Sequence, residues 1–532
     1  MTPFVLFAAL GAGGLHQPWL WTPFAVLSWG AAAALLPRAR LPGGPLWGAL
    51  LAWAAASALL SPEPLISLSA FAYAATAFLW LSLGATRAGA DERRWGAALL
   101  MAAGPLAAAA AILIDVPDYP AVGLLFPYYN YTAALVAAAG AAAAAGPAAA
   151  TAVPAAALYL VWAGSRGGLA ALAAGTAVAL WRGGRRKTVV LGAAAALAFL
   201  AGSSTPRDIL LKADKAGAHA RPAIWRAALQ VAAESPWLGE GPGRFGRGFL
   251  RHQVPAPPSL RPTRFSLTTA HAHSGPLDVL AEVGFPGAVL LTAALLALWR
   301  ARPVVTDPDR EALLTGAVAL GTQALGDSIL VLPALAWLFA WLLGAACASE
   351  NAQVPRLPES ARRAFLLLGL GLAAAAWWPG WAVSSWRGAE PEAAVTVAPA
   401  DAGLWQDIAR RRLGAGDARG GLAALARAAE LRPFDVRPRI MAAEVLRSGG
   451  AWHFVLEAAS EVVALEPACG QGRILKAEAL LRLGRPAEAR AELAALPSSG
   501  AKPLTDLRRD NPEGLVLGYD PARLAALQSE LK

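Results

Sequence analysis

Cysteine is nearly absent from this chain: the 532 residues hold two, Cys347 at the end of a hydrophobic segment and Cys469 in a charged tail. A disulfide between them is not expected, and no CxxC or His/Cys spacing suited to a metal is present. Charge is scarce as well. Only 15% of the residues are charged, against about a quarter in a soluble globular chain. A basic leader is missing too. Met1 to Leu15 has no positive n-region and more hydrophobic segments follow at once, so no cleavable signal peptide is expected. What fills the chain instead is Ala, Leu and Trp in runs, with 56% hydrophobic residues and a mean hydropathy of +0.45. That composition predicts an all-α, polytopic membrane helix bundle. The net charge of +10 is spread over the connections. It fits a sided membrane protein with an anionic ligand better than a nucleic-acid binder.

The hydrophobic runs give about 12–13 candidate transmembrane helices, near 2–15, 19–36, 45–60, 66–84, 95–114, 131–146, 150–164, 168–181, 188–202, 276–299, 311–326, 329–348 and 364–385. Ala- and Gly-rich runs such as 133–146 suit close helix packing in lipid. Alternate connections carry the basic residues: Arg38 and Arg40; Arg87, Arg93 and Arg94; Arg182 to Lys187; Arg300, Arg302 and Arg310; Arg356, Arg362 and Arg363. The short connections between them carry one base, Arg166. The first set is expected in the cytoplasm. The long loop 203–275 and everything after 385 then lie outside, in a bacterial periplasm. The expected domains are a transmembrane domain, 1–385, which includes the loop 203–275, and an outer domain, 386–532.

In the tail the hydrophobic runs stop and charged amphipathic helices begin. Pro399, Pro433 and Pro467 are spaced by 34, and Gly414, Gly449 and Gly484 by 35. Paired helices at this period resemble tetratricopeptide repeats, about three of them, closed by a short C-terminal helix. Such an α-solenoid is expected to recruit a protein partner or acceptor rather than to carry out a reaction.

The stretch from Arg221 to Gly284 gathers seven arginines and three of the six histidines in an otherwise apolar chain. Arg221 stands at the start of a predicted helix, with Trp225 four residues on. Arg226 reads either as a ligand contact or as a solvated face. Gly239, Gly241 and Gly243 form a turn whose amides could approach a phosphate, or a plain tight turn. His271 and His273 precede the next hydrophobic segment. A histidine at a membrane edge suits general-base work, and no third or fourth ligand for a zinc pair presents itself. Glu282 could orient a histidine or cap a helix. Arg166, in WAGSRGGLAAL, sits at an outer membrane edge, where an isolated charge is costly and marks a functional site, unless it snorkels to headgroups. Tyr129 and Asn130 line a substrate entry or anchor the interface. Asp327, in the short GDS connection, reads as a turn residue.

Taken together, SR at 165–166, R-x-x-x-W at 221–225, P-x-x-G-x-G-x-G at 236–243 and H-S-x-x-L-x-x-L-x-E-x-G at 273–284 resemble the O-antigen ligase / O-antigen polymerase family of bacterial inner-membrane glycan-transfer proteins. The resemblance runs over about 120–385. It implies a glycosyltransferase without metal or cofactor that takes a glycan from undecaprenyl diphosphate to a glycan, lipid or protein acceptor. It places Arg166 and Arg221 on the diphosphate and His273 at the acceptor. Where the family often has Asn after that histidine this chain has Ser274, so His271 stays a second candidate. Arg226, Gly239, Gly241, Gly243, Tyr129, Asn130 and Glu282 are expected to bind substrate. A polymerase would use the same residues. A transporter of the lipid-linked glycan would spread its charges across several membrane depths, and a scaffold would leave Arg166 and the histidines without a role.

Overall fold

Apolar runs bounded by proline, glycine and capping side chains become helices. The computed structural model describes residues 2–12, 15, 18–35, 43–113, 129–184, 220–255, 263–265, 268–302, 307–347, 358–496, 502–503 and 518–532. The first helices are α1 (Thr2–Gly11), α2 (Pro18–Leu35), α3 (Gly44–Leu59), α4 (Pro64–Arg87), α5 (Ala90–Leu113), α6 (Tyr129–Ala143), α7 (Ala149–Trp162) and α8 (Arg166–Arg182). Two helices of the long loop follow, α9 (Ala220–Glu234) and α10 (Phe245–Arg251). Then come α11 (Gly275–Ala301), α12 (Pro308–Gly326), a 3-10 turn at Ile329–Val331, α13 (Pro333–Ala346) and α14 (Glu359–Trp386). The tail holds α15 (Pro391–Val397), α16 (Ala402–Gly414), α17 (Ala418–Leu431), α18 (Arg437–Ser448), α19 (Trp452–Leu465), α20 (Gly470–Arg482), α21 (Pro486–Ala494) and α22 (Pro521–Glu530). Lys502–Pro503 and Gly518–Tyr519 pair as two short parallel strands.

The protein is an all-α, polytopic membrane protein. Helices stand at twelve of the expected spans, and the remaining one, 188–202, lies outside the described residues. Among the described residues, four helices of 23 to 28 residues are long and apolar enough to cross a bilayer on their own. The shorter ones pack tightly among their neighbours. Helices α4 and α13 approach through small residues: a Cβ on Gly344 would stand 2.2 Å from the Leu81 carbonyl oxygen, and one on Gly84 2.5 Å from that of Trp341.

The chain divides into two compact units, one of residues 1–221, 232–243 and 271–379, the other of 222–231, 244–270 and 380–532. The loop expected with the membrane domain is therefore shared. Its parts in the second unit find partners on the tail helices. Arg264 N and Phe265 N donate to Glu466 Oε2 and Oε1, each at 2.9 Å. The Phe265 ring stacks on Phe434 at 4.5 Å, and Arg247 pairs with Asp401 at 2.9 Å.

In the first unit, α8 and α12 run antiparallel. At one end Arg182 Nε lies 2.8 and 2.7 Å from the two oxygens of Glu311, and Arg93 Nε lies 2.9 Å from Asp307. This is the end with the basic connections. The first residue of α8, Arg166, is about 25 Å away along the helix axis.

Helix α11 breaks at Gly284, where φ is 71° and ψ −179°, and Pro286 brings no amide hydrogen to repair it. The freed groups are taken up by the turn 235–243 and by α3. Glu240 N donates to Ala281 O (3.0 Å), Gly241 N to Glu282 O (2.9 Å), and Phe285 N to Pro236 O (2.8 Å). Trp53 Nε1 donates to Val283 O at 3.0 Å, and Ser57 Oγ to Leu238 O at 2.6 Å. A Cβ on Gly284 would stand 2.1 Å from the Trp237 carbonyl oxygen. Gly284→Ala is therefore expected to destabilise the protein by more than the ~1–3 kcal/mol of a strained backbone residue, seen as a lowered melting temperature in detergent. A melting temperature equal to wild type would show that the break is not held as described.

The second unit repeats three helix pairs: α16 with α17, α18 with α19, α20 with α21. Pro399, Pro433 and Pro467 precede the first helix of each pair. The equivalent glycines differ from the set expected at a spacing of 35. They are Gly416, Gly450 and Gly484, all with positive φ, which close the first helices at a spacing of 34. Both cysteines are buried and free.

Candidate active site

Three of the expected site residues, Asn130, Arg221 and His273, are drawn together by one that reads from sequence as a mere turn. Asp327 follows the last turn of α12 and has a side chain only 5% exposed. Its Oδ1 accepts from Ser328 N at 2.9 Å and lies 3.3 Å from His273 Nδ1. Its Oδ2 accepts from Asn130 Nδ2 and, at 3.4 Å, from an Nη of Arg221. A carboxylate is buried without penalty only when its oxygens are bonded and its charge is met. Here four donors from four parts of the chain meet it.

Each of these donors is positioned by local structure. Asn130, in the first turn of α6, accepts at Oδ1 from Ser165 Oγ (3.1 Å) and at its backbone oxygen from Gln323 Nε2 (3.1 Å). Ser165 is the N-cap of α8 and also accepts from Gly168 N at 3.2 Å. Arg166 is therefore the first residue of α8, part-exposed, with no hydrogen bond or ion pair to any described residue. Arg221 is the second residue of α9 and is 33% exposed. His273, equally exposed, takes φ 52°, a left-handed conformation uncommon outside glycine. Asp278 braces that turn, accepting from Ala272 N at 2.6 Å and from Ser328 Oγ at 3.1 Å.

The carboxylate settles the roles on the imidazole. An ionised carboxylate only accepts, so His273 Nδ1 carries the hydrogen and Nε2 is left as the basic nitrogen. His271 is placed differently. Burial first, and His273 beside it second, hold its imidazole down at about 4, which favours the neutral form at neutral pH.

The remaining candidates fall elsewhere. Tyr129 packs against the membrane core beside Asn130. Glu282, Gly239, Gly241 and Gly243 lie at the break in α11. Glu282 contributes its carbonyl there, and the Gly239 and Gly241 amides are bonded to Ser235 and Glu282. That break is about 14 Å along α11 from its first residue, so those bonded amides support the helix and are not turned to a ligand. Arg226 is exposed on α9 in the second unit, without a described hydrogen bond. Among the described residues, no three His, Cys, Asp or Glu side chains cluster in a way that could hold a metal. Sequence reasoning missed Asp327 and Asp278. The available signal was an acidic residue in a connection expected at the same membrane edge as Arg166 and the histidines.

No curated protein matches the chain. Residues 151–292 match the family described as O-antigen ligase, a shorter stretch than the 120–385 over which the motifs suggest it. The matched stretch holds Arg166, Arg221, His271 and His273, while Asn130 and Asp327 lie outside it. Over those residues, the chain is similar to the O-antigen ligase family.

Proposed function

We propose that this protein transfers a glycan from an undecaprenyl-diphosphate-linked donor to an acceptor hydroxyl at the outer face of a bacterial inner membrane, as a ligase. The family match supports glycan transfer in envelope biosynthesis. The observation that carries the finer reading is the convergence of His273 and Arg221 on Asp327, with Arg166 open beside the Ser165–Asn130 arm of the same network.

On this reading, Arg166 and Arg221 hold the diphosphate. Each starts a helix, where the axial dipole adds positive potential, and each offers a planar fork for phosphate oxygens. The acceptor hydroxyl gives its proton to His273 Nε2 as its oxygen attacks the anomeric carbon. The bond from that carbon to the diphosphate oxygen breaks, and the charge that builds on the leaving group is met by the guanidinium groups. Asp327 stabilises the imidazolium that forms. Attack from the face opposite the diphosphate inverts the anomeric centre. The helix pairs of the tail, which we read as tetratricopeptide repeats in the periplasm, are suited to holding a protein partner or acceptor.

Arg166→Ala and Arg221→Ala, expressed at wild-type level in place of the native protein, are each expected to lower transfer tenfold or more, as a lost charge-assisted contact is worth ~1.5–3 kcal/mol. Arg166→Lys should fall nearly as far, because the fork is lost. The readout is the lipid-linked glycan: a ligase defect accumulates full-length chains on undecaprenyl diphosphate. Accumulation of single units instead would make the protein a polymerase. Unchanged surface glycans in both alanine variants would remove the arginines from the site.

A further inference from the structure

The tail carries a second recognition feature, and the chain itself fills it. Glu444 on α18 and Glu478 on α20 are 34 residues apart, so they hold the same position in successive helix pairs. Their side chains share one arginine from α22. Arg523 Nη1 donates to Glu444 Oε1 at 2.7 Å, its Nε donates to Glu478 Oε2 at 2.8 Å, and its second Nη reaches the same Glu478 oxygen. Arg523 is 14% exposed and Glu478 10%. The pair is held ready from behind: Gln471 Nε2 donates to Glu444 Oε1 at 2.6 Å, and Arg447 stands 2.8 Å from Glu444 and 3.8 Å from Glu478. One guanidinium thus spans two carboxylates fixed by two separate repeats. A planar fork suits this geometry and an ammonium does not.

A helix that merely closed a solenoid would cover the apolar edge of the last pair. Helix α22 does part of that, since Leu531 packs with Ala477, Leu480 and Ala489. Arg523, however, reaches back past the last pair to the one before it. The helix is otherwise lightly seated. Leu527 is the one residue within α22 that is buried, and polar anchors do the rest: Arg482 with Glu530 at 2.9 Å, and Arg490 with the Leu531 carbonyl at 2.7 Å. A segment with so small an apolar seat opens more readily than one held by a core, and its exposed Arg482–Glu530 pair adds little.

We propose that Glu444 and Glu478 form a docking site for an arginine-bearing helical segment of a partner protein, and that α22 occupies this site in cis until the partner displaces it. The occupant in place defines the chemistry of the one that replaces it. It carries an arginine followed by leucines four and eight residues on, as Arg523, Leu527 and Leu531 do. A helix presents these three on one stripe. The proposal does not depend on the glycan-transfer reading.

The probe is a fluorescent peptide of residues 518–532, added to the full-length protein in detergent. The wild-type protein, with its own α22 in place, should bind it weakly, and Arg523→Ala should bind it about tenfold or more tightly, because the internal competitor is weakened. Adding Glu444→Gln and Glu478→Gln to that variant should abolish the binding. Equal affinity for wild type and Arg523→Ala, or binding that survives the double glutamine change, overturns the proposal. A second measurement does not rely on the alanine variant folding. Hydrogen exchange over 521–530 should quicken in Glu444→Gln/Glu478→Gln while α16 to α19 exchange as before. Unchanged exchange in α22 would show that the acid pair does not hold it.

Discussion

Asp327→Asn is expected to lower glycan transfer by about 10²- to 10⁴-fold at unchanged protein level, the range seen when a general base loses its orienting carboxylate. The substitution keeps the shape and removes the charge. An amide at this position presents an NH₂ group where Asn130 and Arg221 already donate, so one donor meets another. The imidazolium formed at His273 also loses the charge 3.3 Å away that stabilises it. If His273 and Asp327 act as one unit, the double variant with His273→Gln will be no slower than His273→Gln alone. Losses that multiply would mean two independent roles, and a wild-type rate in Asp327→Asn would take the carboxylate out of the mechanism.

A protein ending at Trp386 is expected to insert in the membrane and to lose transfer by roughly a hundredfold or more, the cost of misplacing reacting groups by about an ångström. The chain leaves the first unit just after Arg221, re-enters it over 232–243, and rejoins it at His271. Between these two site residues, segments 222–231 and 244–270 fold with the tail. Truncation removes Glu466, Phe434 and Asp401, and with them the partners of Arg264, Phe265 and Arg247. The narrower pair Glu466→Gln and Phe434→Ala should reproduce part of the loss in the full-length protein. Transfer to a small surrogate acceptor at the full-length rate, by a truncated protein shown to be folded, would show that the loop holds its own shape. On the expected result, the recruiting role that the repeat period suggests for the tail is joined by a second one, as the frame for the loop.

The apolar helices were legible in the sequence because membrane burial enforces continuous hydrophobic runs. Arg166, Arg221 and His273 stand out in the sequence as isolated charge or histidine at a membrane edge, and two of them, Arg221 and His273, meet at Asp327. Asp327 was not, for a lone acid in a three-residue connection looks like a turn until Asn130, Arg221 and His273 are brought to it from 54 to 197 residues away. The glycines of 239–243 misled in the opposite direction. Their pattern suggests a phosphate cradle, but the Glu240 and Gly241 amides answer carbonyls that only the break in α11 exposes. Likewise Gly414 and Gly449 were chosen by spacing, whereas backbone conformation selects Gly416 and Gly450.

The break at Gly284 also bears on how the protein is made. A span with open carbonyls at Ala281, Glu282 and Val283 is poorly suited to lipid, where nothing else can donate to them. The groups on Trp53, Ser57, Glu240 and Gly241 that answer these carbonyls precede Gly284 in the chain. During synthesis from the N-terminus, α3 and the 235–243 turn have therefore emerged before α11 does. The broken helix can dock as it enters, and its order in the gene is itself part of what makes it insertable.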